Sequence, residues 1–240
     1  MFFKKKPFLK NSGYCVCCDR NTVFVSENNW LRDFYVCMNC GSIPRERALM
    51  YAIERYAPNW KNLVIHESSP AQRGASLKLQ NLCKSYIPTQ YFPSAESGSM
   101  HNGIQCENLE KLSFPDESID LHVTQDVFEH LFSPEKAFSE IHRTLKPKGM
   151  LISTVPLENK QNPTQIVAEL TPAGIKYHFE PVYHGNPVSE SGSLVTRKWG
   201  YDIVDFIYSS SGMTTTIMYI DNIEYGIRAE FIEVLISCKF

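Results

Sequence analysis

The hydrophobic pattern is clearest between Asp120 and Pro156, where it predicts one strand–helix–strand unit. Residues 121–124 form a short β-favouring run, and residues 150–155 form a second, mostly apolar run. The apolar positions between the two runs fall on one face of a helix, namely Ala137, Phe138, Ile141 and Leu145. Two strands joined by a helix form a right-handed crossover, so this unit predicts a parallel sheet.

The two ends of this helix are marked in the sequence. Ser133 is a good N-cap, and Pro134 suits the first helical position because an N–H would have no partner there. Residues 146–149, Lys-Pro-Lys-Gly, are predicted to end the helix in a turn. Ligands of open parallel sheets bind beyond the carboxyl ends of the strands. The polar residues that follow the first strand are therefore candidates for the site: Gln125, Asp126, Glu129 and His130.

Similar patterns predict elements on both sides of this unit. Strands are predicted at residues 23–25, 33–36, 63–66, 86–91 and 103–106, and helices at residues 44–56, 71–84 and 199–208. Residues 213–220 and 231–239 are predicted to form a closing antiparallel strand pair. Residues 160–200 are rich in Pro, Gly, His and Tyr, and they predict a lid or a substrate loop. The chain as a whole is therefore predicted to be an α/β protein.

Four of the eight cysteines have the spacing of a zinc site. Cys15 and Cys18 form one pair with two residues between them, and Cys37 and Cys40 form another. Cys17 could compete within the first pair, but the two-residue spacing favours Cys15 and Cys18 as ligands. The alternatives are free buried thiols or disulfides, and the absence of a secretion signal argues against disulfides. The remaining cysteines lie in apolar surroundings and are predicted core residues: Cys83, Cys106 and Cys238.

Composition narrows the class of protein. The 240 residues are 43% hydrophobic and 21% charged, which is typical of a soluble globular protein. The net charge of −2 disfavours nucleic acid as a partner. The basic N-terminal stretch has no apolar run long enough for a signal peptide, and no stretch approaches a membrane span, so a cytoplasmic location is expected.

The residues of the strand–helix–strand unit also resemble a known family. The matching residues are Asp120, Glu129-His130, Glu140-Ile141, Arg143, Leu145-Lys146-Pro147 and Gly149. Together they look like the latter half of a class I S-adenosylmethionine-dependent methyltransferase of the type 11-like branch. Lys148 replaces the first glycine of the family pattern, a change expected to be harmless in an exposed turn.

The resemblance extends to the second cysteine pair. Some of these enzymes carry an N-terminal zinc ribbon, and the segment from Cys37 to Arg47, which includes Cys40-Gly-Ser and Arg45, is similar to its end. The resemblance implies a Rossmann-like, mostly parallel sheet of seven strands preceded by a small zinc ribbon. It places the ribbon at residues 1–43 and the methyltransferase domain at residues 44–240. The implied cofactors are S-adenosylmethionine and a zinc ion.

The resemblance also implies which residues bind S-adenosylmethionine. In the family, the turn after the strand at residues 63–66 holds the methionine part of the cofactor. Here serine and proline replace the usual paired glycines of this turn, and only Gly74 remains. Gln90 stands where the family usually has an acidic residue for the ribose. The other implied cofactor contacts are Glu67, Ser68 and Ser69 at the turn, Glu107, Asn108 and Leu109 at the adenine, and Gln125 and Asp126 after the fourth strand.

Methyl transfer from a sulfonium needs alignment more than acid catalysis, so catalytic residues are harder to name. His130 and His184 are the candidates, as groups that place the acceptor or take its proton, although either could be a hydrogen-bonded structural histidine. The predicted acceptor is a small molecule with a hydroxyl or an amine, such as a sugar or a metabolite. Two alternatives stay open. One is an RNA methyltransferase with a basic face at Lys4–Lys6, Lys10, Arg20, Arg45 and Arg47, and the other is a non-catalytic scaffold.

Overall fold

The N-terminal segment folds as a small antiparallel sheet followed by a helix. The structure is a computed structural model and describes residues 6–186 and 189–240. Its first elements are β1 (Leu9–Cys15), β2 (Arg20–Ser26), α1 (Leu31–Phe34), β3 (Val36–Cys37) and α2 (Pro44–Tyr56). Strand β2 pairs with both β1 and β3. The strand predicted at residues 33–36 is wrong in its first half. There Trp30 Nε1 donates to the Asp33 carboxylate at 2.7 Å, and the chain makes the helical turn α1 instead.

One hydrophobic core joins the N-terminal segment to the rest of the chain. Phe24 of β2 belongs to the same buried cluster as Ile65 and Ile232. The fully buried Arg47 adds polar contacts, because its Nε and Nη2 donate to the Gly226 carbonyl oxygen at 3.0 and 2.6 Å. The domain boundary at residue 43 stays a prediction, but the stretches on its two sides share one core.

The larger sheet begins after a 3₁₀ turn at Trp60–Asn62. Its first elements are β4 (Val64–Ser68), α3 (Gly74–Leu82), β5 (Ser85–Gln90), β6 (Met100–His101), β7 (Ile104–Cys106), β8 (Ile119–Gln125), α4 (Pro134–Thr144) and β9 (Leu145–Thr154). A second 3₁₀ turn, Phe128–His130, lies between β8 and α4. The five strands β4, β5, β7, β8 and β9 run parallel, which confirms the predicted mostly parallel, Rossmann-like sheet.

The stretch predicted as a loop at residues 160–200 forms short antiparallel strand pairs instead. These are β10 (Gln165–Ile166) with β15 (Arg197–Lys198), β11 (Ala168–Thr171) with β12 (Gly174–Tyr177), and β13 (Tyr183–Asn186) with β14 (Ser189–Leu194). Residues 187 and 188 lie outside the described residues. Thr196 anchors this region to the turn after β8, because its N–H donates to the Glu129 carbonyl oxygen at 2.7 Å and its hydroxyl to that of Leu131 at 2.6 Å.

The chain ends with α5 (Ile203–Ser211), β16 (Thr214–Met218), a 3₁₀ turn at Ile223–Tyr225 and β17 (Val234–Cys238). The predicted antiparallel closing pair is confirmed, since β17 pairs antiparallel with both β16 and β9. The strand order is β16-β17-β9-β8-β4-β5-β7-β6. The sheet has eight strands rather than seven, because β6, at residues where no strand was predicted, folds back on β7.

Other element boundaries also differ from the predictions, and helix α5, for example, starts at Ile203 rather than at residue 199. Helix α3 starts at Gly74 rather than at residue 71. At Gly74 a Cβ would collide with the Glu46 carboxylate. Strand β9 starts directly after α4 at Leu145, so the predicted turn at residues 146–149 belongs to the strand. The end of the chain pairs with this stretch, because the Lys148 N–H donates to the Lys239 carbonyl oxygen at 3.1 Å.

Two buried histidines link the central strands. His66 Nδ1 and His122 Nδ1 are 2.8 Å apart, and their outer nitrogens lie 2.8 Å from the hydroxyls of Thr89 and Thr144. The Thr144 hydroxyl donates to the Glu140 carbonyl oxygen, so it accepts from His122, and the donors then run in one direction from Thr89. Burial lowers the pKa of His66 to about 3 and that of His122 well below its usual value, so both rings are neutral.

In the part of the chain that the structure describes, no helix has both the length and the apolar character needed to cross a membrane.

Candidate functional site

The carboxyl ends of the parallel strands meet at one edge of the sheet, which we call the carboxyl edge. Strand β4 ends there at Ser68, β5 at Gln90, β7 at Cys106, β8 at Gln125 and β9 at Thr154. The residues predicted to bind the cofactor lie at these strand ends or in the turns that follow them, with Gly74 at the start of α3: Glu67, Ser68, Ser69, Gly74, Gln90, Glu107, Asn108, Leu109, Gln125 and Asp126. The fold thus brings together groups that are far apart in the chain.

Glu67 ties four elements of the carboxyl edge together. Its buried carboxylate accepts hydrogen bonds from Ser76 Oγ at 2.6 Å, Tyr86 OH at 2.7 Å and Gln125 Nε2 at 2.9 Å. Burial raises the pKa of Glu67 in spite of these donors. Because Glu67 and Gln125 bind each other, these two predicted cofactor contacts hold β4, β5, β8 and α3 in register at the edge.

The turn after β4 lacks the usual paired glycines but still takes a glycine-like conformation. Ser69 has φ of 54°, in the left-handed region that glycine favours, and its N–H donates to the Thr89 carbonyl oxygen at 2.8 Å. Gly74, with φ of 60°, packs directly against Glu46 of α2. The turn therefore takes a glycine-like backbone conformation at Ser69, although no glycine stands at this position.

A cavity of about 320 Å³ opens beyond β5 and β7, and Tyr91, Pro93, Asn108 and Leu112 contribute to its walls. Asn108 follows β7, and its N–H donates to Ser97 Oγ at 2.9 Å. The Glu107 carboxylate is buried and accepts from Gln105 Nε2 at 2.8 Å and from the Ser113 N–H at 2.9 Å. Glu107 therefore shapes the turn beside this cavity.

Asp126, directly after β8, binds two arginines of the N-terminal half. Arg32 Nη2 of α1 lies 2.6 Å from its carboxylate, and Arg45 Nε of α2 lies 3.1 Å from it. The Thr154 hydroxyl donates to the other oxygen at 3.0 Å. Burial alone would raise the pKa of Asp126, but the two arginines outweigh it and hold the pKa below its usual value. The N-terminal segment thus takes part in the carboxyl edge.

Glu129, His130 and His184 form a second cluster beside Asp126, which we call the carboxylate–histidine cluster. Glu129 Oε1 lies 3.7 Å from His130 Nε2 and 3.8 Å from His184 Nδ1. Burial, with Asp126 nearby, raises the pKa of Glu129 well above its usual value, whereas burial lowers the pKa of both His130 and His184. The two candidate catalytic histidines are therefore brought together, with rings 5.2 Å apart.

A larger cavity, of about 500 Å³, lies at the other half of the same edge. Its walls are formed by Lys160, Tyr201, Ile217, Tyr219 and Glu233. Glu233 is 5% exposed, and within the described residues its Oε2 has no hydrogen-bond partner. A buried carboxylate oxygen without a donor is suited to a ligand that carries a hydroxyl or an amine.

The paired cysteines form a compact cluster in the N-terminal sheet. Cys15 Sγ lies 3.8 Å from Cys40 Sγ, and Cys18 Sγ lies 3.9 Å from Cys37 Sγ. A tetrahedral zinc ion with bonds of about 2.3 Å places neighbouring sulfurs about 3.8 Å apart, so the four thiols fit this metal. Cys17 lies outside the cluster, because its Sγ donates to the Glu46 carbonyl oxygen at 3.6 Å.

A comparison with protein families decides the relationship of the chain. The family model described as a methyltransferase domain matches residues 79–153, which run from α3 into β9 and include the ends of β5, β7 and β8. Over these residues the chain matches the methyltransferase domain family, the family that the predicted resemblance names. No curated protein matches this methyltransferase. The family resemblance predicted above is thereby confirmed, and S-adenosylmethionine is the methyl donor of this enzyme.

Solved structures similar to this methyltransferase have low sequence identity to it. An S-adenosylmethionine-dependent methyltransferase from Mesorhizobium loti is 14% identical, with 80% of this chain and 98% of that chain covered and a TM-score of 0.49. The 1,6-didemethyltoxoflavin-N1-methyltransferase of Burkholderia thailandensis is 12% identical, with coverage of 81% and 79% and a TM-score of 0.47. The YcgJ protein of Bacillus subtilis is 14% identical, with coverage of 75% of each chain and a TM-score of 0.47.

Sequence reasoning missed several residues of the carboxyl edge. Arg32 and Glu233 carry no motif, and Arg45 was assigned to a surface for RNA. The one signal available for Glu233 is that it stands directly before an apolar strand, where a charged side chain is costly to bury. Nothing near Arg32 in the sequence points to Asp126, because their contact depends on how the N-terminal segment packs.

Proposed function

We propose that this methyltransferase transfers the methyl group to a hydroxyl or an amine of a small acceptor, such as a sugar or a metabolite. The observation that carries the proposal is the 500 Å³ cavity with the buried, unpartnered oxygen of Glu233. Its volume lies within the range of about 300–1,000 Å³ that is typical of small-molecule sites. Glu233 would accept a hydrogen bond from the acceptor and so fix its orientation.

The donor half of the site is proposed at β4, β5 and β7. The glycine-like turn at Ser69 supports binding of the methionine part there, and Gln90 can hydrogen-bond the ribose hydroxyls. Tyr91 and Asn108 line the cavity of about 320 Å³ that would take the adenine. Glu107 is proposed to support this cavity through the turn at Ser113. The bound sulfonium supplies an activated methyl group, and alignment of the acceptor against it can contribute about 7–11 kcal/mol.

The two halves lie on opposite sides of the end of β8. Donor residues follow β4, β5 and β7, whereas Glu233 and Lys160 belong to the half formed by β9, β17 and β16. Strands β5 and β7 lie on one side of β4, whereas β8 and β9 lie on its other side, so the strand order reverses between β4 and β8. Open α/β sheets bind ligands at such a switch point. His130, just after β8, is proposed to place the acceptor between the halves.

We also propose that Cys15, Cys18, Cys37 and Cys40 bind a structural zinc ion. The separations between their sulfurs support this assignment, and the Ser42 hydroxyl lies 3.4 Å from Cys15 Sγ and 3.3 Å from Cys40 Sγ. Four thiolates complete a tetrahedral shell, which leaves no position for a substrate. The role of this site is therefore to hold the N-terminal segment, including Arg32, against the carboxyl edge.

The contacts of the N-terminal arginines disfavour the RNA alternative. Arg47 is fully buried, and Arg45 binds Asp33 at 2.6 Å as well as Asp126. Neither Arg45 nor Arg47 is therefore free to add positive charge to the predicted basic face, and Lys4 and Lys5 lie outside the described residues. A weakened basic face favours a small acceptor over a phosphate backbone.

The test is release of S-adenosylhomocysteine from S-adenosylmethionine in the presence of a panel of sugars and small amines. We expect turnover with at least one small acceptor, and Glu233→Gln should lower kcat/KM for it at least tenfold without changing the affinity for S-adenosylmethionine. Glu230→Gln, an exposed glutamate nearby, is the matched control and should have no effect. Turnover with RNA alone, or full activity of Glu233→Gln, would contradict the proposal.

A further inference from the structure

We propose that Glu129, His130 and His184 bind a divalent transition-metal ion at the carboxyl edge. Their ligand atoms all lie within 4.8 Å of one another. No motif in the sequence marks these three residues as metal ligands. The binding proposal stands on its own geometry, and only the role of the metal in methyl transfer rests on the proposed function.

The first observation is the unusual state of Glu129. Its side chain is 2% exposed, and within residues 6–186 and 189–240 neither carboxylate oxygen has a hydrogen-bond partner. A buried carboxylate without donors is costly, and native structures normally provide a proton donor or a cation. What faces its Oε1 instead is a pair of imidazole nitrogens.

The second observation fixes the orientation of His130. Its Nδ1 lies 2.9 Å from the Leu194 carbonyl oxygen, which can only accept, so Nδ1 carries the hydrogen. In the neutral ring this leaves a lone pair on Nε2, the atom that faces Glu129. A backbone carbonyl that holds the far nitrogen in this way is the usual support of a metal-binding histidine.

The third observation is that the fold positions His184 from outside this turn. Strands β13 and β14 carry His184 over Glu129, and Thr196 ties the end of this hairpin to the backbone of Glu129 and Leu131. Bonds of about 2.0–2.2 Å to a tetrahedral zinc ion would place the ligand atoms about 3.3 Å apart. The separations of 3.7 and 3.8 Å from Glu129 Oε1 are slightly wider than this, and the His184 side chain is 38% exposed.

This donor set indicates the class of metal and its function. Two imidazoles and one carboxylate suit zinc, iron(II) or manganese(II). Three protein ligands leave at least one position open, as catalytic metal sites do. An acceptor oxygen at that position would lose its proton to water more easily. The oxygen then forms its bond to the methyl carbon, and the carbon–sulfur bond breaks with its electron pair on sulfur.

The test is titration with Co²⁺ alone of enzyme that carries one zinc ion per chain, at the four cysteines, followed by visible absorption. Because imidazole and carboxylate ligands give weak d–d bands without the strong charge-transfer bands of thiolates, the spectrum identifies which cluster has bound the ion. We expect d–d bands that saturate at one Co²⁺ per chain. Glu129→Gln and His184→Gln should each raise the Kd for Co²⁺ at least 100-fold.

His178→Gln is the matched control, because His178 lies 3.3 Å from Glu169 in a pair that lacks a second histidine. It should bind Co²⁺ like the wild type. Unchanged zinc content and melting temperature would show that the Glu129→Gln protein is folded. Absence of d–d bands, thiolate charge-transfer bands alone, or unchanged binding by Glu129→Gln would each overturn the proposal.

The two proposals can fail separately. Co²⁺ binding without methyl transfer to any small acceptor would contradict the proposed function and leave the metal site intact. Methyl transfer by an enzyme that binds no Co²⁺ at this cluster would overturn the metal site and leave the proposed function intact.

Discussion

The four-cysteine cluster and the carboxylate–histidine cluster differ in how completely they are enclosed. Two pairs of cysteine sulfurs lie 3.8 and 3.9 Å apart, and all four lie within 4.8 Å of one another, which suits the tetrahedral zinc ion proposed above. Glu129, His130 and His184 supply three ligands at the carboxyl edge, and one of them is 38% exposed. A closed shell can only stabilise the fold, whereas an open shell keeps a position for an acceptor.

The two clusters are connected by one side chain. Arg32 lies between the two cysteine pairs in the chain, and it binds Asp126, which stands three residues before Glu129. Its Nε also donates to the Phe231 carbonyl oxygen at 3.0 Å. The N-terminal segment is therefore part of the carboxyl edge, and we expect a loss of its stability to affect the groups at that edge.

Loss of the four-cysteine cluster, the closed cluster, should have the largest effect on stability. We expect Cys37→Ser to lose zinc and to melt without a cooperative transition, because Cys37 also belongs to the shared core. Structural zinc contributes about 10–16 kcal/mol in zinc-finger peptides, which is comparable to the whole stability of a domain. Zinc analysis and thermal melting check this, with Cys238→Ser as the control that keeps its zinc. A zinc-free Cys37→Ser protein that melts like the wild type would refute the structural role.

Removal of the connection should have the next largest effect. Arg32→Met leaves Asp126 with Arg45 as its remaining cation, and breaking a buried ion pair costs about 3–5 kcal/mol. We expect a loss of about 3 kcal/mol in denaturant unfolding. Arg228→Met is the control, since its ion pair with Asp221 is exposed and should contribute less than about 1 kcal/mol. Equal losses in the two variants would argue against a special role for Arg32.

The His66–His122 pair sharpens the comparison, because there every ring nitrogen already has a partner. The pKa of His66 is about 3 in the folded chain owing to burial, and about 6.5 in the unfolded chain. The unfolded chain therefore binds more protons as the pH falls from 6.5 towards 3, and stability is lost over this range. From pH 7 to pH 5 the loss should be about 2 kcal/mol for His66 alone.

Denaturant unfolding at each pH measures this loss, and NMR of the ring nitrogens shows whether both rings stay neutral. The same series with His184→Gln separates the loss at His66 and His122 from any contribution of His184 in the carboxylate–histidine cluster, the open cluster. Stability that is flat between pH 7 and pH 5 would contradict the neutral pair.

The smallest effect is expected at Cys17, the cysteine next to the closed cluster. Cys17→Ala removes a buried thiol that donates to the Glu46 carbonyl oxygen, and it should cost about 1 kcal/mol. Zinc content should stay at the wild-type value, because the sulfur is not among the four that come together. A fall in zinc content comparable to that of Cys37→Ser would show that Cys17 is a ligand after all.

The closed cluster was visible in the sequence because its ligands follow local rules. Two residues between cysteines allow both sulfurs to reach one metal, whatever the rest of the fold does. The parallel sheet was predictable for the same reason, since Ala137 to Leu145 and the apolar runs beside them follow simple periods. The element types came from local patterns, and the mostly parallel sheet was implied by the crossover unit and by the family resemblance.

The open cluster was only partly visible, because it depends on tertiary packing. His130 and His184 were singled out as separate candidates, but their meeting at Glu129 requires the hairpin of β13 and β14 that the sequence suggested only as a loop. The contact between Arg32 and Asp126 depends on the packing of α1, a segment predicted as a strand. The left-handed conformation of Ser69 was likewise not predicted, because a serine, unlike a glycine, does not indicate a positive φ angle.

The central claim is that a carboxyl edge without the usual paired glycines still binds the methyl donor. Calorimetric titration of the zinc-loaded enzyme with S-adenosylhomocysteine tests it directly. The account predicts saturable heat at one molecule per chain, weakened about tenfold by Tyr91→Ala through loss of its ring from the smaller cavity. No heat with S-adenosylhomocysteine or S-adenosylmethionine at millimolar concentration, from protein that is folded and contains zinc, would contradict it.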